Sequence, residues 1–241
     1  LKNGLNINLF GDADKVYASV KNHDIFALKP TDFHGLTPKL TVKVGDNVLA
    51  GSVVFYDKYN EKIKFCSPVS GAIKDIVRGE KRRILEVIIE SDSEIIYESH
   101  SQKNSKDLSR EQIIDYMLEK GVWPFIRQKP YDIIANPTDL PKSIFISAFK
   151  SGPLAIDNDF ALYGMDELFQ KGLDVITKLT NGKIHLNLDG NTNSSKVFSD
   201  AKGVEINSFS GPHPAGNVGV QIHHLDPINK GDIIWFLEPQ D

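Results

Sequence analysis

The segment "SGPHPAGNVGVQIHHLDPI", residues 210–228, carries most of the side chains that could do chemistry. Its glycines and prolines predict a fixed loop at the carboxyl end of a strand, where open α/β sheets place ligands, and His213 lies in that loop. His213 can either hydrogen-bond within the loop or contact a ligand or partner. His223 and His224 are adjacent, so on a helix they diverge by about 100° and cannot readily share a metal ion. We therefore predict no metal site, and one buried and one surface histidine in this pair.

A dinucleotide site would need the pattern Gly-x-Gly-x-x-Gly directly between a strand and a helix. The apolar segment "SIFISAF" is instead followed by "KSGPLA", in which Ser151 precedes a single glycine, Gly152. The glycines of "GPHPAGNVG", among them Gly216, do not have the required spacing either. We therefore predict a scaffold without a nucleotide site. The sequence also contains no convincing catalytic triad or acid/base pair of carboxylates, so no residue is assigned as catalytic.

Lys58, in "VFYDKYNEKIKFCSPVSGAI", resembles the lysine that carries lipoate in carrier domains. In such domains Ser-Pro follows the lysine after a strand of about half a dozen residues. Here Ser67 and Pro68 are the ninth and tenth residues after Lys58. We expect this two-residue expansion to broaden the tip of the hairpin, and we interpret Lys58 as an unmodified loop charge.

Two types of element must position these residues. Residues 38–90 alternate apolar and polar side chains between short turns, in two similar halves. This pattern predicts a small flattened β barrel in which each half contributes strands to both sheets. From residue 107 helical patterns alternate with short apolar strands, which is typical of parallel crossovers in a Rossmann-like sheet. The predicted fold is therefore α+β and α/β, with an unmodified barrel-sandwich (lipoyl/biotinyl-like) domain and N-terminal extension in residues 1–100, and a Rossmann-like α/β domain in residues 101–241.

The α/β region has a regular order of predicted elements. A helix begins after Ser109 and ends at Gly121. The later elements alternate as strand and helix: strand 143–149, helix 164–179, strand 183–189, short helix 195–201, strand 204–209, helix 215–224 and strand 232–238.

Composition excludes several functional classes. The chain has 241 residues and a net charge of −4, which argues against nucleic acid as a partner. The basic run Lys81-Arg82-Arg83 is interpreted as a solvated hairpin. The single cysteine, Cys66, excludes an internal disulfide and is expected to be half-buried. No window approaches the roughly 18 to 20 consecutive apolar residues of a membrane span.

Stretches throughout the chain resemble the family of A subunits of sodium-translocating NADH:quinone oxidoreductases. They include "LKNGLNINLFG", "VRGEKRRIL", "KSIFISAFKSGPLA", "FQKGLDVITKLTNGKIHLNL" and "GPHPAGNVGVQIHHLDPI", together with the lysine-containing segment above. They follow the order of the family along the whole chain. The related C subunits of Rnf electron-transfer complexes share the layout but carry cysteine-rich segments that are absent here. Family members are longer, so we expect this chain to be an N-terminal fragment.

The resemblance implies a peripheral subunit on the cytoplasmic face of the bacterial inner membrane. Its partners would be the other subunits of the complex, notably the membrane subunit that handles quinone. The resemblance implies no covalently bound cofactor, a contact with quinone, and no activity of the chain alone. Candidates for contact with quinone or a partner are His213, Ser151, Gly152, Gly216, His223 and His224, with apolar walls from Trp123, Phe125, Phe149 and Phe209. Two alternatives stay open: a non-catalytic assembly module of an Rnf-type complex and a soluble nucleotide-using enzyme.

Overall fold

The computed structural model describes residues 1–7, 9–11, 13–19, 23–100 and 104–241. The chain divides into two compact units. One, here the α/β unit, comprises Leu1–Tyr17, Ser105–Arg110 and Ile126–Asp241, and the other, here the barrel unit, comprises Ala18–Asn104 and Glu111–Phe125. The division predicted between residues 100 and 101 follows chain order, whereas each compact unit combines segments from both sides of that point. The predicted division stays a prediction.

The barrel unit contains two antiparallel sheets. Its strands are β1 (Ile25–Leu28), β2 (Pro38–Leu40), β3 (Asn47–Val48), β4 (Val53–Asp57), β5 (Asn60–Cys66), β6 (Gly71–Arg78) and β7 (Ile84–Ser91). One sheet has the order β1-β7-β6-β3 and the other β2-β4-β5. Strands from the first half of the barrel, β2 to β4, occur in both sheets, and so do strands from the second half, β5 to β7. The predicted sharing of strands is confirmed.

The barrel core forms from alternating apolar residues of these strands. Phe55 and Phe65 stack across the β4–β5 pair with ring centroids 4.7 Å apart, and Phe33 packs edge-on against Phe65. Val87 and Ile89, two positions apart on β7, are both fully buried. This spacing is expected because side chains two residues apart on a strand point to the same face.

The hairpin that carries Lys58 is narrower than the sequence predicts. Asp57 of β4 pairs with Asn60 of β5, so the turn consists of Lys58 and Tyr59 alone. The Lys58 N–H donates to Thr37 O at 2.8 Å, and both turn side chains are exposed. The expectation of a broad tip is wrong, because the two extra residues lengthen β5 rather than the turn. Whether Lys58 is unmodified stays a prediction.

A helix, α1 (Arg110–Glu119), leads into the fully buried Trp123 of the barrel unit. Gly121, two residues after the end of the helix, has a φ of +70°. The Val122 N–H donates to Met117 O at 3.1 Å, the bond that closes a helix over a left-handed residue. The predicted helix and its glycine stop are confirmed.

The α/β unit contains one sheet of six strands. They are β8 (Arg127–Lys129), β9 (Ile133–Ile134), β10 (Ser143–Ser147), β11 (Ile184–Asp189), β12 (Glu205–Phe209) and β13 (Ile234–Leu237), in the order β12-β11-β10-β13-β8-β9. The first four in this order are parallel, as predicted, and β8 joins β13 antiparallel. The short β8 and β9 were not predicted.

The helices of this unit are α2 (Asn158–Ala161), α3 (Asp166–Ile176), α4 (Lys196–Ser199) and α5 (Val218–Leu225). Phe145 and Phe236 pack against Ile222 of α5. Their strand neighbours Ile146 and Leu237 line a cleft with α3. Since adjacent strand residues point to opposite faces, α3 and α5 cover opposite faces of the sheet. The direction in which successive strands are added to the sheet also reverses at β10, because β11 lies on one side of β10 and β13 lies on the other.

Candidate functional site

The loop after β12 lies at the carboxyl edge of the parallel strands. Its turns are closed by backbone bonds from Ala215 N to Pro212 O and from Asn217 N to Pro214 O, both 2.9 Å long. The peptide bond between His213 and Pro214 is cis. Because Pro214 to Asn217 form this turn, α5 begins at Val218 rather than at the predicted residue 215. We call residues 210–217 the histidine loop.

Ser151, from the loop after β10, connects to the histidine loop through two hydrogen bonds. The Gly216 N–H donates to Ser151 Oγ at 2.8 Å, and Ser151 Oγ lies 3.2 Å from Nδ1 of His213. When the Ser151 hydroxyl donates to Nδ1, the imidazole proton is on Nε2, which is then a donor. No partner of Nε2 occurs among the described residues. The structure thus brings together Ser151, His213 and Gly216 from two separate loops.

Position 216 requires glycine because the two loops approach each other closely there. A Cβ atom there would lie 2.3 Å from Ser151 N and 2.9 Å from Ser151 Oγ. Real Cβ atoms do not approach backbone so closely, so any side chain would separate the two loops. At Gly152, by contrast, an added Cβ atom would have no atom within 4 Å. Gly152 adjoins the cluster in sequence but makes no comparable contact.

The first residues of the chain lie against the histidine loop. The Leu5 N–H donates to His213 O at 2.9 Å, and the His213 N–H donates to Asn6 Oδ1 at 3.2 Å. A Cβ atom on Gly4, whose φ is +148°, would lie 2.2 Å from His213 O. Both backbone polar groups of His213 are therefore held by residues more than 200 positions earlier. No sequence pattern indicates this contact, because nothing in the first residues identifies position 213 as their partner.

Next to the histidine loop lie a cluster of buried apolar side chains and a row of buried polar side chains. Phe149, Phe209 and Ala215 form a buried cluster. Buried polar side chains continue from this cluster across the face under α5: Asn187 Nδ2 donates to Gln221 Oε1 at 2.8 Å, and Gln221 Nε2 donates to Ala215 O at 3.4 Å. This row thus connects the sheet to the loop.

His185 belongs to the same polar row. Asn207 Nδ2 lies 3.2 Å from His185 Nδ1 and 3.1 Å from Asn187 Oδ1, so Nδ1 of His185 accepts. Burial lowers the pKa of His185, and the Glu205 carboxylate opposes that shift only in part. The ring is therefore neutral around pH 7 and acts as a packed, hydrogen-bonded side chain stacked on Phe145 at 4.5 Å.

The arrangement can donate hydrogen bonds to a carbonyl oxygen but does not resemble a hydrolase. A serine nucleophile requires a histidine base that is itself oriented by a third group, usually a carboxylate. No described carboxylate contacts His213. In the described part of the chain, no group of three or more His, Cys, Asp or Glu side chains could hold a metal ion.

Two family models match the chain along nearly its whole length. The model described as "NqrA N-terminal barrel-sandwich hybrid domain" matches residues 1–92, and "NqrA second alpha/beta domain" matches residues 108–241. The chain belongs to the NqrA family. These matches confirm the family resemblance and the predicted barrel-sandwich and α/β domains.

Curated relatives of this NqrA-family chain are named as the A subunit of the Na(+)-translocating NADH-quinone reductase. The protein from Marinomonas sp. (strain MWYL1) is 33% identical over 240 residues, which are 99% of this chain and 53% of the relative. That from Pseudomonas aeruginosa is 34% identical over 244 residues, 100% of this chain and 54% of the relative. The chain thus spans about half the length of the curated relatives it matches.

The remaining site candidates of this NqrA-family chain lie apart from Ser151. His223 and His224 occupy the last turn of α5, whereas Gly216 precedes its first turn. Both histidines are exposed, so the prediction that one is buried is wrong. The eight-residue helix places about two turns between them and the histidine loop. Trp123 and Phe125 belong to the barrel unit, whereas Phe149 and Phe209 belong to the α/β unit and pack with Ala215 of the histidine loop.

Sequence reasoning missed an apolar cleft beside the strand-order reversal. The cleft has a volume of about 280 Å³ and includes Ile146, Leu168, Phe169, Leu173 and Leu237 in its lining. It lies at the carboxyl ends of β10 and β13, the position that open α/β sheets use for ligands. Leu168 is 67% exposed although the helix pattern predicts an inward face for it. The sequence shows Leu168 only as part of an apolar helix face, a pattern that ordinary core packing also produces.

Proposed function

We propose that this chain forms part of a peripheral A subunit of a sodium-translocating NADH:quinone reductase, on the cytoplasmic face of the membrane. It supports electron transfer to quinone coupled to Na⁺ export, and its partners are the other subunits, notably the quinone-handling membrane subunit. Redox chemistry belongs to the assembled complex. The chain alone is inactive and holds no covalent cofactor.

The observation that carries this proposal is the match of both NqrA domain models, in order, along the chain. The names of the full-length relatives support the assignment to a quinone reductase. Among the described helices, none has both the length and the apolar composition to cross a bilayer. Anchoring within the bilayer then comes from partner subunits.

Within this function, Ser151 and His213 are the proposed quinone contact. A quinone presents two carbonyl oxygens on a flat apolar ring, so a site needs hydrogen-bond donors beside an apolar surface. When the Ser151 hydroxyl donates to Nδ1 of His213, Nε2 is such a donor, and the same hydrogen bond fixes the orientation of the ring. Gly216 keeps Ser151 in place.

The test is calorimetric titration of the purified chain with a water-soluble short-chain quinone. We expect saturable binding that His213→Ala weakens about fivefold, the loss of one hydrogen bond of about 1 kcal/mol. His223→Ala is the matched control, because it removes an exposed histidine at the other end of α5. NADH serves as a second ligand, for which we expect no binding.

Two further results would change the assignment. Weakening by Leu168→Asp but not by His213→Ala would place the quinone in the apolar cleft instead. Absence of quinone binding by a folded chain would contradict the contact and favour an assembly role for these two units. Membership of the complex is tested separately, by co-purification of the full-length A subunit with the other subunits.

A further inference from the structure

The hairpin between β6 and β7 concentrates positive charge in an acidic protein. Its connection reads "RGEKRR", residues 78–83, with four cations and one carboxylate, whereas the whole chain has a net charge of −4. Arg78, Lys81, Arg82 and Arg83 are all exposed. None forms an ion pair with a carboxylate among the described residues. We call these four side chains the basic tip.

The backbone at the basic tip adopts a conformation that its side chains disfavour. Lys81 and Arg82 have φ values of +52° and +61°, both in the left-handed region. The Arg83 N–H donates to Glu80 O at 3.1 Å and closes a turn over these two residues. Two successive left-handed residues form a type I′ turn, for which Asn-Gly is the favoured pair because neither residue is strained there.

The choice of Lys-Arg at these two positions therefore needs a reason other than folding. A hairpin that required only solubility could carry its cations on the flanking strands and Asn-Gly in the turn. Residues held in sparsely populated backbone regions occur preferentially at functional sites. Here the strain places two long cationic side chains at the most projecting point of the hairpin.

The surroundings hold this tip rigidly. The Gly79 N–H donates to Arg83 O at 2.8 Å, and Arg78 Nη1 donates to Arg82 O at 3.3 Å. The side chain of Leu85 covers Gly79, with its nearest atom 3.1 Å from the position of an added Cβ. The cations thus project from a fixed turn rather than from a loose loop.

We propose that the basic tip is a contact surface for an anionic phospholipid membrane. Each Lys or Arg near a negatively charged leaflet contributes about a fivefold gain in binding, corresponding to about 1 kcal/mol. The four exposed cations lie within six consecutive residues of one hairpin connection, which suits an array of phosphate groups. This proposal does not depend on quinone contact.

A protein partner fits the tip less well. Stable protein interfaces centre on aromatic or apolar anchors that become fully buried. None of the large exposed hydrophobic side chains of the described chain lies between residues 60 and 95. Nucleic acid is disfavoured because binding would need a longer basic stripe than a single hairpin turn supplies.

The test compares sedimentation of the purified chain with vesicles of phosphatidylcholine alone and vesicles that also contain phosphatidylglycerol. We expect binding only to the anionic vesicles, and its loss on raising the salt concentration. The decisive variant is Lys81→Asn/Arg82→Gly, which removes two cations and installs the favoured turn pair. We expect about thirtyfold weaker binding and a melting temperature equal to or above that of the wild type.

The matched control is Lys43→Asn/Lys58→Asn, which removes two other exposed cations of the same unit and should bind like the wild type. Equal binding by the Asn-Gly variant and the wild type would overturn the proposal. So would equal binding to both kinds of vesicle. Binding to polyglutamate or duplex DNA without binding to anionic vesicles would also contradict it and would identify a different polyanion.

Discussion

At the scale of single residues, Gly216 determines whether the two loops of the candidate site can meet. Gly216→Ala would place a methyl group 2.3 Å from Ser151 N, so one loop must move. We expect a loss of about 1–3 kcal/mol in unfolding free energy, typical of overpacking. Chemical denaturation followed by circular dichroism measures it.

Gly219→Ala is the control, because Gly219 is in α5 with no atom within 4 Å of an added Cβ. Alanine is the better helix former, so stability should stay equal or rise by up to about 1 kcal/mol. Equal effects of the two substitutions would mean that the loops do not pack as described.

For single residues, the sequence predicts which side chains follow the strands of the sheet. Ser151, His213 and Gly216 follow strands whose carboxyl ends lie at one edge of a parallel sheet, so the pattern of strands predicts loops at the same edge. It does not predict their contact, because β11 lies between β10 and β12. His223 and His224 share a segment with His213 but lie in the last turn of α5, so nearness in sequence was misleading. His185 and Asn187 lie on one face of β11, and the buried Asn187 amide donates to Gln221, a contact that no local pattern shows.

At the scale of elements, the end of α1 depends on one glycine for two reasons. Gly121 has a φ of +70°, and a Cβ atom there would lie 2.4 Å from Cys66 Sγ on β5. Cys66 is partly buried, as predicted, and burial raises the pKa of its thiol. We expect Gly121→Ala to cost about 2–4 kcal/mol from backbone strain and contact together, measured by thermal unfolding.

Gly45→Ala separates the two causes. Gly45 has a φ of +90° but no atom within 4 Å of an added Cβ, so only strain should remain, about 1–2 kcal/mol. Adding Cys66→Ala to Gly121→Ala should recover part of the extra loss. If Gly45→Ala and Gly121→Ala were equally destabilising, the close contact with Cys66 would be disproved.

The helices and the longer strands could be predicted because apolar residues recur with the period of a helix or of a strand. Helices α1, α3 and α5 and strands β10 to β13 appear close to their predicted places. The hairpin β8–β9 was not predicted, since two and three residues are too few to show alternation. The width of the Lys58 turn was also misjudged, because spacing does not reveal whether extra residues enter a strand or a loop.

At the scale of the whole molecule, stability should depend on pH through His185. Its folded pKa is lowered by burial, so the unfolded chain binds the proton more readily. The contribution of neutral His185 to the free energy of unfolding is then fully present above the unfolded pKa of about 6.5 and is lost as the pH drops below it. We expect the melting temperature to fall between about pH 7 and pH 5.

His185→Gln tests the cause of this slope. The substitution removes the titrating ring, so the melting temperature should fall less steeply over the same range, whatever its value at neutral pH. Carboxylates without an interaction with His185, such as Asp232, whose pKa is also lowered, contribute to both proteins equally. Identical slopes for wild type and variant would show that His185 is not the group responsible.

Both tryptophans are completely buried, Trp123 in the barrel unit and Trp235 in the α/β unit. The indole of Trp235 donates to Gln128 Oε1 at 3.2 Å inside the sheet. Each unit thus contains one tryptophan, which is shielded from solvent in the folded state and becomes exposed to water only when that unit unfolds. With Trp235→Phe the emission spectrum follows the barrel, and with Trp123→Phe it follows the α/β sheet, so the two halves of one chain can be observed separately during refolding.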